Sequence, residues 1–324
     1  MRERARDDEG GWGGVKCGAN LGNAGWDVGK SHRRVHADGD RTTMSLEGLC
    51  SEREARWFYV GWSRVYDAMQ PFFTSDEMRE AGLDLLPGGI NGTQQILDVG
   101  AGTGTLSLQV LKRAPGARLT LLDQSAPMLD RAKLKPALEG ATFVLADAQA
   151  LPLDDDSFDA VVSSGSLYYY PRPVAALREQ LRVVRPGGSV LAMGSLQPKP
   201  RLIRLLATTF NRFPTEEQYK QWFADAGFSD VRVRHISNPW NAQQYALAIC
   251  GTKGPGTAQP ARELPPPPTA GRTLRSLLWL PVAIGRFGLS MAAFALLGPL
   301  QIINATIGMR KLRQASAATG ESAA

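Results

Sequence analysis

Cysteine and histidine are scarce: the 324-residue chain carries three of each. Cys17, Cys50 and Cys250 lie far apart, which excludes a disulfide scaffold and a cysteine-cluster metal site. The histidines show no metal-ligand spacing, so no metal is expected. Long apolar runs are also missing, with one exception near the C-terminus. Net charge is absent from most of the chain as well. The formal charge is +6, yet residues 1–50 hold eight basic and eight acidic side chains and residues 51–251 hold 21 of each. The whole excess lies in residues 252–324, with eight basic and two acidic side chains. A neutral central region offers no basic face for nucleic acid, so no nucleic-acid partner is expected.

What is present divides the chain into segments. Residues 1–50 contain ten glycines and no apolar periodicity. They read as a disordered extension without the acid-poor composition of a transit peptide. Residues 252–271 form a proline-rich linker with four consecutive prolines at 265–268, a stiff extended spacer. Residues 272–313 then contain the exception: 23 residues without a charge, Phe287–Met309, flanked by Arg286 on one side and Arg310, Lys311 and Arg313 on the other. A membrane helix needs about 20 such residues, so this segment reads as a basic-flanked membrane anchor. The alternative is an amphipathic helix packed on the domain. Residues 314–324 read as a disordered tail.

The central segment, 51–251, alternates strand-like and helix-like stretches. Strand candidates are Ile96–Val99, Leu119–Asp123, Thr142–Ala146, Ala160–Ser163, Ser189–Met193, Val231–Ile236 and Tyr245–Cys250. Helical stretches fall at about 103–113, 125–138, 172–184 and Glu216–Ala226. This order predicts an α/β, Rossmann-like fold: a seven-stranded, mostly parallel sheet with helices on both faces, closed by a terminal hairpin.

The first strand runs into ILDVGAGTGTL, residues 96–106. Gly100, Gly102 and Gly104 alternate on a strand-to-helix turn, where glycine permits positive φ and close approach to a ligand. The helix beyond the turn presents free N–H groups. Asp123 closes the second strand about 20 residues on, the position from which a carboxylate accepts ribose hydroxyls. Asp147 and Ala148 follow the third strand, where a short acid meets an adenine edge. LPLDDDSFDAV (151–161) and VVRPGG (183–188) come next, with Pro186-Gly187-Gly188 expected as a turn launching the next strand. The acidic run Asp154–Asp156 is expected to be a solvated loop. A dinucleotide turn would space its glycines as G-x-G-x-x-G; here position 105 is Thr and Gly104 comes one residue early.

Together these motifs resemble, in order, those of the class I S-adenosylmethionine-dependent methyltransferases. The stretches 55–80, 122–133, 163–173 and 213–231 and the basic hydrophobic tail are similar to the 2-methyl-6-phytyl-1,4-benzoquinol methyltransferases of the tocopherol and plastoquinone pathways. The resemblance implies S-adenosylmethionine as methyl donor and ring C-methylation of a 2-methyl-6-phytyl- or 2-methyl-6-solanesyl-1,4-benzoquinol. It further implies a lipid quinol partner and a membrane location at the chloroplast inner envelope. The alternatives are another lipid quinol, of ubiquinone or menaquinone type, or a sterol. A domain that binds the donor without turnover is a reading of a different class.

Carried onto this sequence, the resemblance implies donor contacts by Asp98, Gly100, Ala101, Gly102, Gly104, Asp123, Gln124, Met128, Asp147, Ala148 and Ser164. Asp98 would face the methionyl amino group. Tyr66, Tyr168 and Tyr169 would line the acceptor pocket, with Trp57, Phe58 and Tyr59 in a helical lid. His235, Tyr168 and Asp67 are the candidate bases for ionising a phenol; the residues themselves do not choose among them.

Overall fold

In the computed structural model, the described residues are 76–197, 213–237 and 245–257, with isolated helical positions at 201, 204, 285, 288 and 292. The expected N-terminal extension, the aromatic lid with Tyr66 and Asp67, the linker beyond residue 257 and the tail lie outside them. So does most of Phe287–Met309. Among the described residues, no helix is long and apolar enough to cross a membrane.

A first helix, α1 (Asp76–Leu83), precedes the sheet. Strand β1 (Gln95–Val99) leads to α2 (Thr105–Arg113), β2 (Arg118–Asp123) to α3 (Ala126–Lys133), and β3 (Thr142–Leu145) to β4 (Phe158–Ser164). Then come α4 (Pro173–Val183), β5 (Val184–Ser195), α5 (Glu216–Ala226), β6 (Ser229–Ser237) and β7 (Tyr245–Thr252). These form one seven-stranded sheet in the order β3-β2-β1-β4-β5-β7-β6. Strands β1 to β5 pair in parallel, and β7 pairs antiparallel with both β5 and β6. The mostly parallel sheet and the closing β6–β7 pair match the expected Rossmann-like arrangement.

Local chemistry explains the elements. The central strands read ILDV and AVVSS with almost every side chain buried, as a sheet covered on both faces requires. One core layer holds Ile96, Val110, Leu121 and Leu191. The other holds Leu97, Val161, Leu177 and Phe223. Adjacent residues of β1 thus feed opposite layers, the period-two geometry of a strand; each such side chain contributes about 1.5–3 kcal/mol on burial. Helix α5 starts at a capping box, in which Thr215 Oγ1 accepts from the Gln218 N–H and Gln218 Oε1 from the Thr215 N–H. It stops at Gly227 with φ 98°, the left-handed stop that favours glycine.

One expectation is corrected and one is extended. Pro186-Gly187-Gly188 does not precede a strand; it lies inside β5 as an irregularity, where the register shifts between Phe158 and Ala160. The Gly187 N–H donates to Lys253 O at 2.8 Å and the Lys253 N–H to Gly188 O at 2.9 Å, so the strand continues through the break. The acidic run is not merely a solvated loop either. Asp155 pairs with Arg182 and Asp156 with Lys253, each at 2.6 Å. Both cations are buried, while the two carboxylates stay about half exposed.

Strand order reverses between β1 and β4. In open α/β sheets, ligands bind beyond the carboxyl ends of the strands at such a switch point.

Candidate functional site

A cleft opens beyond the carboxyl ends of β1 to β4. Gly100 and Gly102 line it from the β1 turn, Asp123, Gln124 and Met128 from β2 and α3, and Asp147 and Ala148 from the segment after β3. Ser164 and Tyr169 line it from β4 and the loop beyond. Nine of the expected residues therefore share one cavity.

The glycine turn is held from both sides. The Gly100 and Ala101 N–H groups donate to Leu122 O at 2.8 and 3.0 Å, and the Gly102 N–H donates to Asp123 Oδ2 at 2.8 Å. Asp123 Oδ1 accepts from the Ser125 N–H at 2.8 Å. Asp123 thus fixes the turn while facing the cleft, and a carboxylate offers about four acceptor sites, more than the backbone N–H groups around it use. The glycines divide their work. Gly102, with nothing near its missing side chain, faces the cleft. Gly104 has φ 79°, and a side chain there would meet Leu138 at 2.6 Å and Leu121 at 3.0 Å. It lets α2 pack on the sheet; neither it nor Ala101 is among the cleft-lining residues.

Asp98 lies behind the turn, 1% exposed and not among the cleft-lining residues. Its Oδ2 accepts from Ser107 Oγ at 2.7 Å, and its Oδ1 has no hydrogen-bond partner among the described residues. Burial pushes this carboxyl from 3.8 up to about 7; the Ser107 hydrogen bond works against that and the Asp123 charge adds to it. Burial raises Asp123 too, against hydrogen bonds from the Ser125 and Gly102 backbone. Ser164 Oγ and Ser125 Oγ are likewise buried without partners. Ser125 occupies the N-cap of α3 without a side-chain cap bond. Pro127 at the second helical position lacks one of the two N–H groups a cap can take, and the other, on Met128, donates to Ser125 O at 3.1 Å.

Beyond β3, Asp147 Oδ1 accepts from the Gln149 N–H at 2.9 Å and both its oxygens accept from Gln149 Nε2 at 3.2 Å. Gln149 Oε1 in turn accepts from the Arg172 N–H at 3.1 Å, at the start of α4. The sequence carries no signal for Gln149; its role depends on β3 and α4 meeting in space. Ser166 and Tyr170 also line the cleft.

The remaining candidates fall elsewhere. Tyr168 is not among the cleft-lining residues; its ring packs 4.8 Å from Tyr169 and 5.8 Å from Phe213. His235 sits on the edge strand β6, half exposed, with Nε2 2.7 Å from Glu216 Oε2. It too is absent from the cleft lining. No group of three or more potential metal ligands occurs among the described residues.

A family model described as a methyltransferase domain matches residues 97–192. A rice (Oryza sativa subsp. japonica) protein named 2-methyl-6-phytyl-1,4-hydroquinone methyltransferase 2, chloroplastic, is 39% identical over 191 residues, 58% of this chain and 54% of the relative. The chain thus spans about half the length of that plant relative. The Paracoccus denitrificans ubiquinone/menaquinone biosynthesis C-methyltransferase UbiE is 32% identical over 174 residues, 44% of this chain and 70% of the relative. Among solved structures, a chain of the complex between the Haloferax volcanii Trm112 methyltransferase activator and its methyltransferase partner superposes with a TM-score of 0.55. It is 19% identical and covers 63% of this chain and 99% of that one, which speaks to the fold alone. With its glycine turn, its acidic residues at the ends of β1 and β2 and these relatives, the chain belongs to the class I S-adenosylmethionine-dependent methyltransferases.

Proposed function

We propose that this protein transfers a methyl group from S-adenosylmethionine to a ring carbon of a prenylated benzoquinol of the 2-methyl-6-phytyl-1,4-hydroquinone type. The observation that carries the substrate is the 39% identity to the rice enzyme over 191 residues. A ubiquinone- or menaquinone-type quinol is the second reading, favoured by the 70% coverage of the Paracoccus protein.

The cleft fits the donor. Asp123 has acceptor capacity for a ribose diol, Asp147 and Ala148 border an adenine edge, and Met128 supplies an apolar wall. The orphaned Asp98 Oδ1 and Ser164 Oγ are buried atoms that a polar ligand would satisfy, since leaving them unmade costs about 1–3 kcal/mol each. An ammonium suits Asp98, because a cation stabilises its ionised form. The bound donor supplies an electrophilic methyl carbon on a sulfonium. The chain's part is to hold the ring carbon in line with it and exclude water. Tyr169, beside the cleft, offers a ring against which the quinol packs. Ionising a phenolic hydroxyl raises the nucleophilicity of the ring carbon; of the candidate bases, Tyr168 packs against the cleft-lining Tyr169, His235 lies off the lining and Asp67 lies outside the described residues.

The apolar run Phe287–Met309 with its basic flanks would tether the domain to a bilayer, where a prenylated quinol concentrates. A plastid location follows from the same resemblance. Incubating the full chain with methyl-labelled donor, 2-methyl-6-phytyl-1,4-hydroquinone, and ubiquinone and menaquinone precursors tests the substrate. Label in the phytyl hydroquinone is expected; label only in the other quinols would overturn that assignment.

A further inference from the structure

We propose that Tyr170 and Ser166 are positioning residues that fasten the acceptor-side loop, residues 165–170, to the donor turn, so that donor binding and acceptor placement are coupled. The inference rests on the proposed donor site and extends it to residues that neither the family motifs nor the sequence single out as a pair.

The loop is tied at three points. The Gly165 N–H donates to Met193 O on β5 at 2.8 Å. Leu167 is buried in the core as the first residue of a short helical turn, Leu167–Tyr169. Between these points, Ser166 Oγ donates to Val99 O, the carbonyl just before the glycine turn, at 3.2 Å. Ser166 Oγ also meets Ser163 Oγ at 2.5 Å and accepts from the Tyr170 hydroxyl at 3.0 Å. A serine hydroxyl has one donor and two acceptor sites. With Ser163 and Tyr170 donating and Val99 accepting, Ser166 is fully used.

Gly100 explains how the loop comes so close. A side chain there would stand 2.4 Å from Ser166 Cβ and 2.8 Å from the Tyr170 hydroxyl. The space beside the first glycine of the turn is thus filled by the loop. Gly100, Ser166 and Tyr170 all line the cleft. A ligand pressing on the turn therefore meets the element that carries Tyr169.

Tyr170 serves as a donor and not as a base. Burial holds its phenol well above the ordinary range, outweighing the Ser166 hydrogen bond, and the charges of Asp123, Asp147 and Asp98 push the same way. At neutral pH its proton stays on the hydroxyl and points the loop at Ser166.

The coupling is tested by hydrogen exchange with S-adenosylhomocysteine as the probe, on the wild type, Tyr170→Phe and Ser166→Ala. In the wild type the ligand is expected to protect peptides covering both 99–104 and 164–171. In Tyr170→Phe, protection of the glycine turn should persist while that of 164–171 falls at least roughly threefold. Turnover should show a lower kcat, roughly tenfold, with the donor KM within about twofold, since small misplacements of reacting groups are costly. The Tyr170→Phe/Ser166→Ala double variant should be no worse than Ser166→Ala alone, because both remove one network. Equal protection of 164–171 in the wild type and Tyr170→Phe, with the ligand bound, would overturn the coupling. Failure of the wild type to bind the ligand would overturn the donor reading and the coupling with it.

Discussion

The two ends of the sheet differ in how their buried charged groups are partnered. At the amino-terminal ends of β4 and β5, every donor of two buried cations is used. Arg182 places its five N–H groups on both Glu179 oxygens, Asp155 Oδ1, Leu151 O and Leu153 O, at 2.6 to 3.0 Å. Lys253 places its three on Asp156 Oδ1, Arg182 O and Val184 O. At the carboxyl-terminal ends, Asp98 Oδ1, Ser125 Oγ and Ser164 Oγ are buried with no partner among the described residues. Burial makes an unpaired polar atom costly at either end. The closed end therefore reads as structure; at the open end Ser164 lines the cleft, where a ligand can satisfy it, while Asp98 and Ser125 lie behind the lining.

The largest expected effect separates these ends by stability. Arg182→Met leaves Glu179 buried without its cation and should cost about 3–5 kcal/mol in denaturant unfolding. Affinity for S-adenosylhomocysteine in the folded fraction should stay within about twofold. A large loss of affinity with little loss of stability would erase the distinction. Asp123→Asn probes the other end. It removes a charged acceptor worth about 1.5–3 kcal/mol, so calorimetry should show affinity ten- to a hundredfold lower.

A pH series sharpens the contrast. Burial lifts Asp98 from 3.8 to about 7 in the folded chain. The folded chain keeps this proton up to about pH 7, whereas the unfolded chain releases it near 4. Its contribution is therefore full below about pH 4 and lost as pH rises towards 7. A ligand ammonium favours the ionised form, so the rise in Tm on adding S-adenosylhomocysteine should be larger at pH 8 than at pH 5.5. Asp98→Asn should remove that difference; an equal rise at both pH values in the wild type would detach Asp98 from the ligand. The smallest effect belongs to His235→Gln. Its pair with Glu216 is half exposed, and such pairs contribute about 0–1 kcal/mol. Stability should barely move, and an unchanged kcat would remove His235 from the candidate bases.

Much of the open end was legible in the sequence because its signals are local. Asp123 follows the glycine turn at a fixed interval set by one strand–helix–strand unit, and buried parallel strands announce themselves as apolar runs. The closed end was not legible. Asp156 and Lys253 are 97 residues apart, and only the antiparallel return of β7 brings them together. The same holds for Gln149 and the start of α4. Gly104 is ambiguous in the sequence for another reason. Its spacing marks the turn, but whether a glycine serves a ligand or a helix contact depends on what occupies the space beside it.

The most direct measurement is a calorimetric titration of S-adenosylhomocysteine into the wild type and Asp123→Asn, with Arg182→Met as the opposite-end control. One-to-one binding by the wild type, at least tenfold weaker binding by Asp123→Asn and near wild-type binding by folded Arg182→Met are expected. No binding by the wild type, or equal binding by Asp123→Asn, would contradict the assignment of the open end to the methyl donor.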